Sequence, residues 1–263
     1  MLRLLDARTG CFAEVRQARP GLLRVGAYLP AGDGEPGWTS VRVLLIADLL
    51  ARVAELGGLQ AVTAALFAGE PPAGQTGAER TAASLGMHPA AGRASADRAG
   101  SVLGGPVDAR ITGPDDGIVG ADGPVARVGT VRGRATAAGG DTPAADPTSA
   151  GDPLAIRFAL LSGPHDQPAD LSDAALAEAG RTLARWRGRV AAWAESPSRP
   201  MPENARAALN GAFSDLDIPQ ALRLLAELEQ DAAVPDGARF ETFAFADRVL
   251  GLDLASEIGQ SHG

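Results

Sequence analysis

The loop Pro30 to Ser40, PAGDGEPGWTS, lies between an apolar run and a helical pattern and is the segment of this sequence best placed to hold a ligand. In an open α/β sheet, ligands sit beyond the carboxyl ends of the strands, where the unsatisfied N–H groups of the next helix face them. On that argument Tyr28, Asp33, Trp38, Ser40 and Arg42 form a candidate ligand pocket. Asp33, Glu35, Ser40 and Arg42 also carry groups suited to acid–base work without histidine. A plain connection, with Thr39 or Ser40 capping the helix, accounts for the same residues.

Other reactive groups are sparse. The three histidines, His88, His165 and His262, and the single cysteine, Cys11, lie far apart, with no CxxC, HxxxH or HExxH spacing. Tetrahedral zinc sites draw on such short-spaced pairs, so neither a metal nor another cofactor is expected. All 24 cationic side chains are arginine. Without lysine no GxxxxGK[ST] phosphate loop can exist, and no GxSxG nucleophile motif is present. Arginine throughout points more to a GC-rich coding bias than to selection for guanidinium chemistry.

Arg181, Arg185 and Arg189 are spaced by four, so they share one helix face and form a candidate RNA-contact stripe. Residues after Gly151 carry 17 acidic against 10 basic side chains, a difference of −7. In that field a solvated helix face is the plainer reading. For the whole chain, a formal charge of −8 and a pI near 4.9 oppose non-specific binding to nucleic acid or an anionic membrane.

One cysteine cannot form an intramolecular disulfide, which favours a reducing compartment. The opening MLRLLDARTG lacks the apolar core of a secretory signal. Val41 to Leu50, the most apolar stretch, contains Arg42 and Asp48 and is too short to cross a bilayer. A cytoplasmic protein with no membrane partner is expected.

The elements that position these residues are legible in outline. Leu22 to Leu29 reads as a buried strand after the turn signal Pro20-Gly21. Apolar residues recur at helical intervals from Val41 to Leu56, Gly57-Gly58 stops the helix, and Leu59 to Phe67 is a second apolar run. Strand, helix and strand with short joins make a βαβ unit. Farther on, Glu79 to Leu85 suggests a short helix, and Val107 to Thr112 and Val125 to Val131 suggest strands. Gly133 to Gly151 has the composition of a flexible connector. Helical patterns then cover Pro153 to Leu161, Asp173 to Glu195, Glu203 to Ala212, Ile218 to Glu229 and Ala238 to Leu250. In the longest, Leu176, Ala179, Leu183, Trp186, Val190 and Trp193 form one apolar seam, with Ser172 placed to cap it. Asp217 caps a later helix, with Pro219 in its first turn.

Three segments carry a family resemblance. Asp152 to Trp186, DPLAIRFALLSGPHDQPADLSDAALAEAGRTLARW, is similar to the stretch that follows the KMSKS loop in class I cysteine-activating ligases. These are the cysteinyl-tRNA synthetases and their actinobacterial relative, the mycothiol-pathway ligase that joins cysteine to glucosaminyl-inositol. Phe213 to Leu222, FSDLDIPQAL, resembles the family's DDLDTPKAL, and LRLLDARTG with Pro20-Gly21 resembles its opening. The resemblance implies a reduced Rossmann-like parallel-sheet domain over residues 1–132, a linker over 133–151, and a helical bundle of the anticodon-binding type over 152–263.

The departures from the family weigh more than the likeness. Gly37-Trp38-Thr39-Ser40 stands where the resemblance implies HIGH, whose histidines help to stabilise the ATP phosphates. Tyr28 or Leu29 takes the place of the first zinc-binding cysteine. Residues Gly139 to Gly151 hold no counterpart of the KMSKS lysines. The expectation is a catalytically degenerate paralogue that binds a protein or a tRNA-like RNA, with residual nucleotide binding open. The alternative is an ATP-dependent cysteine ligase with replaced catalytic groups.

Overall fold

The computed structural model describes residues 2–30, 37–114, 123–133 and 151–260. An antiparallel hairpin, β1 (Arg3–Asp6) and β2 (Cys11–Glu14), opens the chain. The first apolar run forms β3 (Leu22–Tyr28), the helical pattern α1 (Trp38–Leu56), and the second run β4 (Gln60–Phe67). β3 and β4 pair in parallel from Leu22 opposite Gln60 to Tyr28 opposite Leu66, which completes the βαβ unit.

Helix α1 begins before the apolar pattern does. Its cap is Gly37, at φ 70° and with no side-chain hydrogen bond, so Thr39 and Ser40 lie inside the helix and do not cap it. Glycine enters that left-handed conformation without the steric cost a side chain would pay. By contrast, α2 (Gly77–Ser84) starts with a reciprocal capping box. There the Thr76 hydroxyl accepts from the Glu79 N–H, and the Glu79 carboxylate accepts from the Thr76 N–H.

Three further parallel strands complete the sheet, β5 (Gly92–Ser95), β6 (Ala109–Thr112) and β7 (Val125–Arg127), in the order β5-β4-β3-β6-β7. The short helix α3 (Ala99–Leu103) precedes β6. Strand alternation divides the core between the two faces. Leu23, Val25, Ala27 and Ala65 join the core beneath α1, while Tyr28, Val62, Ala64 and Leu66 pack on the opposite face with Ala99 and Leu103. The single strand expected from Val125 to Val131 is instead broken at 128–130. Its far end is β8 (Val131–Arg132), which pairs with β9 (Ala169–Asp170).

Five helices follow: α4 (Pro153–Leu161), α5 (Asp173–Ala194), α6 (Glu203–Ser214), α7 (Ile218–Gln230) and α8 (Asp236–Leu250). Ser172 accepts from the Ala175 N–H and Asp217 from the Gln220 N–H, as helix caps should. The seam of α5 is buried at Ala179, Leu183, Trp186, Val190 and Trp193. Trp186 meets Phe158 of α4 and Phe243 of α8 edge-on, at centroid distances of 5.4 and 5.3 Å.

A Rossmann-like parallel sheet is thus followed by a helical bundle, and one hydrophobic cluster runs from Leu23 and Leu45 through Leu183 and Phe243. Arg157 on α4, fully buried, ties the two parts together. Its guanidinium donates to the carbonyls of Leu85 and Leu250 and to the Asp48 carboxylate on α1. No described helix is long and apolar enough to cross a membrane. Residues 134–150 of the expected connector lie outside the described residues.

Candidate functional site

Strand order reverses between β3, which leads to β4, and β6, which leads to β7. Such a switch point is where an open parallel sheet offers a crevice to a ligand. Tyr28 and Thr112 are register partners at the carboxyl ends of these two strands. Tyr28, chosen from the sequence, lies at the carboxyl end of β3 beside this switch point. The candidates do not form one cluster of side chains there, because Tyr28 packs on the α3 face while Trp38 belongs to the core on the α1 face. Asp33 and Glu35 lie outside the described residues.

The first turn of α1 is closed. Gly37, Trp38, Thr39, Ser40, Val41, Arg42 and Val43 are all buried. Arg42 has no exposed surface, and its guanidinium is surrounded by main-chain oxygens. Nη1 donates to the carbonyls of Gly129 and Gln167, and Nη2 donates to that of Pro164 at 2.8 Å. Burial lowers the Arg42 pKa to about 10, against the opposing pull of Asp166.

Close approach of two chain segments builds this cage. The Gly129 N–H donates to the His165 carbonyl at 2.8 Å, and a Cβ at Gly129 would sit 2.2 Å from the Gln167 oxygen. Only a residue without a side chain lets the segment after β7 run this close to the loop after α4. Burial also holds the imidazole of His165 below its ordinary pKa, and its Nε2 has no hydrogen-bond partner among the described residues.

The Arg42 cage could not have been read from the sequence, since its carbonyls lie 87, 122 and 125 residues away and a carbonyl belongs to every residue type. One local signal was available. Gly32, Gly34 and Gly37 stand at G-x-G-x-x-G spacing in the loop itself. In a dinucleotide fingerprint that pattern follows the strand at once and opens the helix. Here Tyr28 ends β3 well before Gly32 and α1 starts after Gly37, so the spacing lacks the context that would give it weight.

The arginine stripe on α5 is largely engaged with carboxylates. Arg185 donates from Nε and Nη2 to Glu229, Arg181 pairs with Glu178, and the neighbouring Arg187 pairs with Asp152. Arg189 is exposed. The Glu229 carboxylate also accepts from the Trp186 indole N–H at 3.0 Å, so it is a fixed part of the bundle.

Zinc ligation is not supported by the donors present. Tyr28 and Leu29 offer no thiolate or imidazole, Cys11 is an exposed cysteine on the outer hairpin, and no group of three or more His, Cys, Asp or Glu suited to a metal occurs among the described residues.

Comparison with known proteins gives a partial relationship. Over 81 residues, 30% of this chain, the sequence is 42% identical to the cysteine–tRNA ligases of Xylella fastidiosa strains 9a5c and Temecula1. The matched stretch is 17% of the length of each ligase, so the chain corresponds to under a fifth of these relatives. No family model matches the sequence. An identity of 42% over this stretch makes the chain cysteinyl-tRNA synthetase-like in part.

Proposed function

We propose that this protein is a non-catalytic, cysteinyl-tRNA synthetase-like binding scaffold whose partner is another protein. The observation that carries this reading is the state of the first turn of α1. By the family resemblance, that turn is where histidines would meet the ATP phosphates. Here it presents Trp38, Thr39 and Ser40, all buried, and the cation that follows, Arg42, donates to three main-chain carbonyls. Transition-state charge on a phosphate is stabilised by donors already aimed at it, and a buried guanidinium whose two Nη groups are held by main-chain carbonyls is not so aimed. The chain has no lysine to compensate.

A protein partner is favoured over RNA by the stripe on α5. Arg181 and Arg185 are paired with Glu178 and Glu229, so a phosphate backbone would have to displace those carboxylates within an acidic bundle. A thermal-shift screen of the full chain with ATP, a cysteinyl-adenylate analogue and tRNA tests the reading. No shift is expected with any of the three. A saturable shift with ATP or the adenylate analogue would overturn the scaffold assignment. A tRNA shift lost on Arg181→Glu and Arg185→Glu would overturn the choice of a protein partner.

A further inference from the structure

An enclosed cleft lies away from the strand switch point, between α1, α2 and strands β4 and β5, and has a volume of about 200 Å³. Small side chains leave it open. Ala47 and Ala51 of α1 face Ala82 of α2, with Ala61 and Thr63 of β4 as the floor. Larger apolar residues at these positions would close such a space, as cores are otherwise packed to near-crystalline density.

Of the polar side chains at the cleft, two ionisable ones, His88 and Glu55, bear on what it could bind. His88 places Nδ1 3.0 Å from Asp48 Oδ1. The His88 backbone N–H donates to the same oxygen at 3.1 Å, which leaves Nε2 as the ring nitrogen not held at Asp48. The Asp48 charge itself is engaged by Arg52 and Arg157. Glu55, one face-repeat farther along α1, lines the same cleft, is exposed, and has no ion-pair partner among the described residues. The other ionised pair at the cleft, Glu79 with Arg93, is mutually neutralised at 2.8 Å. Glu55 is therefore the unpaired carboxylate of the cleft among the described residues, at one end of an apolar trough with the His88 ring at the other. Asp48 and Glu55 are separated by seven helical residues, or about 10 Å along the axis.

We infer that this cleft binds a small aliphatic amine carrying a second donor at its far end, of the diamine or amino-alcohol class. One ammonium pairs with Glu55, the methylene chain lies on the alanines, and the other donor meets Nε2 of His88. The inference goes beyond the scaffold reading and stands or falls separately from it, because no residue of the α1 first turn takes part.

Isothermal titration of the full chain with 1,5-diaminopentane tests it, with pentylamine, 1-pentanol and pentanoate as comparison probes. Saturable binding is expected for the diamine, weaker binding for pentylamine, and none for pentanoate. Glu55→Gln, at an exposed position, should weaken diamine binding at least about 10-fold, the size of one lost charge-assisted contact. Ala51→Leu should abolish it by filling the trough, with circular dichroism verifying the fold. Glu55→Gln gives the same answer should the leucine variant fail to fold. The proposal is overturned if the diamine shows no saturable binding, if pentanoate binds as well, or if Glu55→Gln leaves the affinity unchanged.

Discussion

Nη2 of Arg157 lies 2.8 Å from Oδ2 of Asp48, and this contact joins the first helix of the bundle to the helix that covers the sheet. Both side chains are almost completely withdrawn from solvent. Removing one partner strands the other's charge in the core, whereas replacing both by apolar groups removes charge and desolvation cost together. Asp48→Ala or Arg157→Ala alone should each cost about 3–5 kcal/mol in urea unfolding. The double variant Asp48→Leu, Arg157→Met should recover much of that loss. Equal, additive losses in the cycle would show that the two residues do not act as a pair.

The same carboxylate shapes the acid limb of stability. Burial alone would raise the Asp48 pKa, but Arg157 and Arg52 outweigh it and hold the group below its ordinary 3.8. Asp247 goes the other way, raised by burial in spite of the N–H donors of Leu254 and Leu252. A raised acid takes up its proton first in the folded chain, so Asp247 adds stability as pH falls through its folded value toward 3.8. A depressed acid takes it up first in the unfolded chain. The Asp48 contribution is therefore whole above 3.8 and lost as pH falls below it. Urea midpoints measured downward from about pH 6 should show the Asp247 gain vanish in Asp247→Asn, while the loss below about pH 4 persists.

Trp186 anchors the bundle by packing and by one hydrogen bond. Trp186→Phe keeps much of the contact with Phe158 and Phe243 but removes the indole N–H from the Glu229 carboxylate. A cost of about 1–3 kcal/mol is expected for that lost partner, and about 3–5 kcal/mol for Trp186→Ala, which also opens a cavity. Equal costs for the two substitutions, read by circular dichroism in urea, would show that the packing contributes little.

Gly129→Ala tests the carbonyl cage around Arg42. A methyl group there must displace Gln167, one of the three acceptors, so the variant should lose about 1–3 kcal/mol by overpacking in urea unfolding. Glycines with open space around them, such as Gly163, should tolerate alanine with a change within about 0.5 kcal/mol.

What the sequence made legible follows the range of the interactions involved. The βαβ unit and α4 to α8 were visible because period and caps are local. Ser172, Asp217 and the α5 seam sit where the pattern put them. Strands β6 and β7 fall inside the runs read from Val107 to Thr112 and from Val125 to Val131, whereas β5, Gly-Arg-Ala-Ser, has too few apolar residues for a pattern to emerge. The hairpin of β1 and β2 left no signal because Phe12 is exposed and the strands border the sheet instead of filling it. For the candidate site, the loop after β3 was chosen from the strand–helix order alone. Tyr28 was placed with Arg42 on chain proximity alone, and strand alternation sends it to the opposite face. The pairing of His88 with Asp48, 40 residues apart, depends on how α2 folds back against α1, which no short spacing encodes.

Cysteine-dependent exchange of pyrophosphate into ATP by the purified full-length chain addresses the central claim most directly. With Arg42 engaged by the carbonyls of Gly129, Pro164 and Gln167 and no lysine in the chain, exchange should not rise above a no-enzyme control. Exchange that depends on cysteine and is lost in Ser40→Ala or Arg42→Ala would contradict the account and make this protein a working cysteine-activating enzyme.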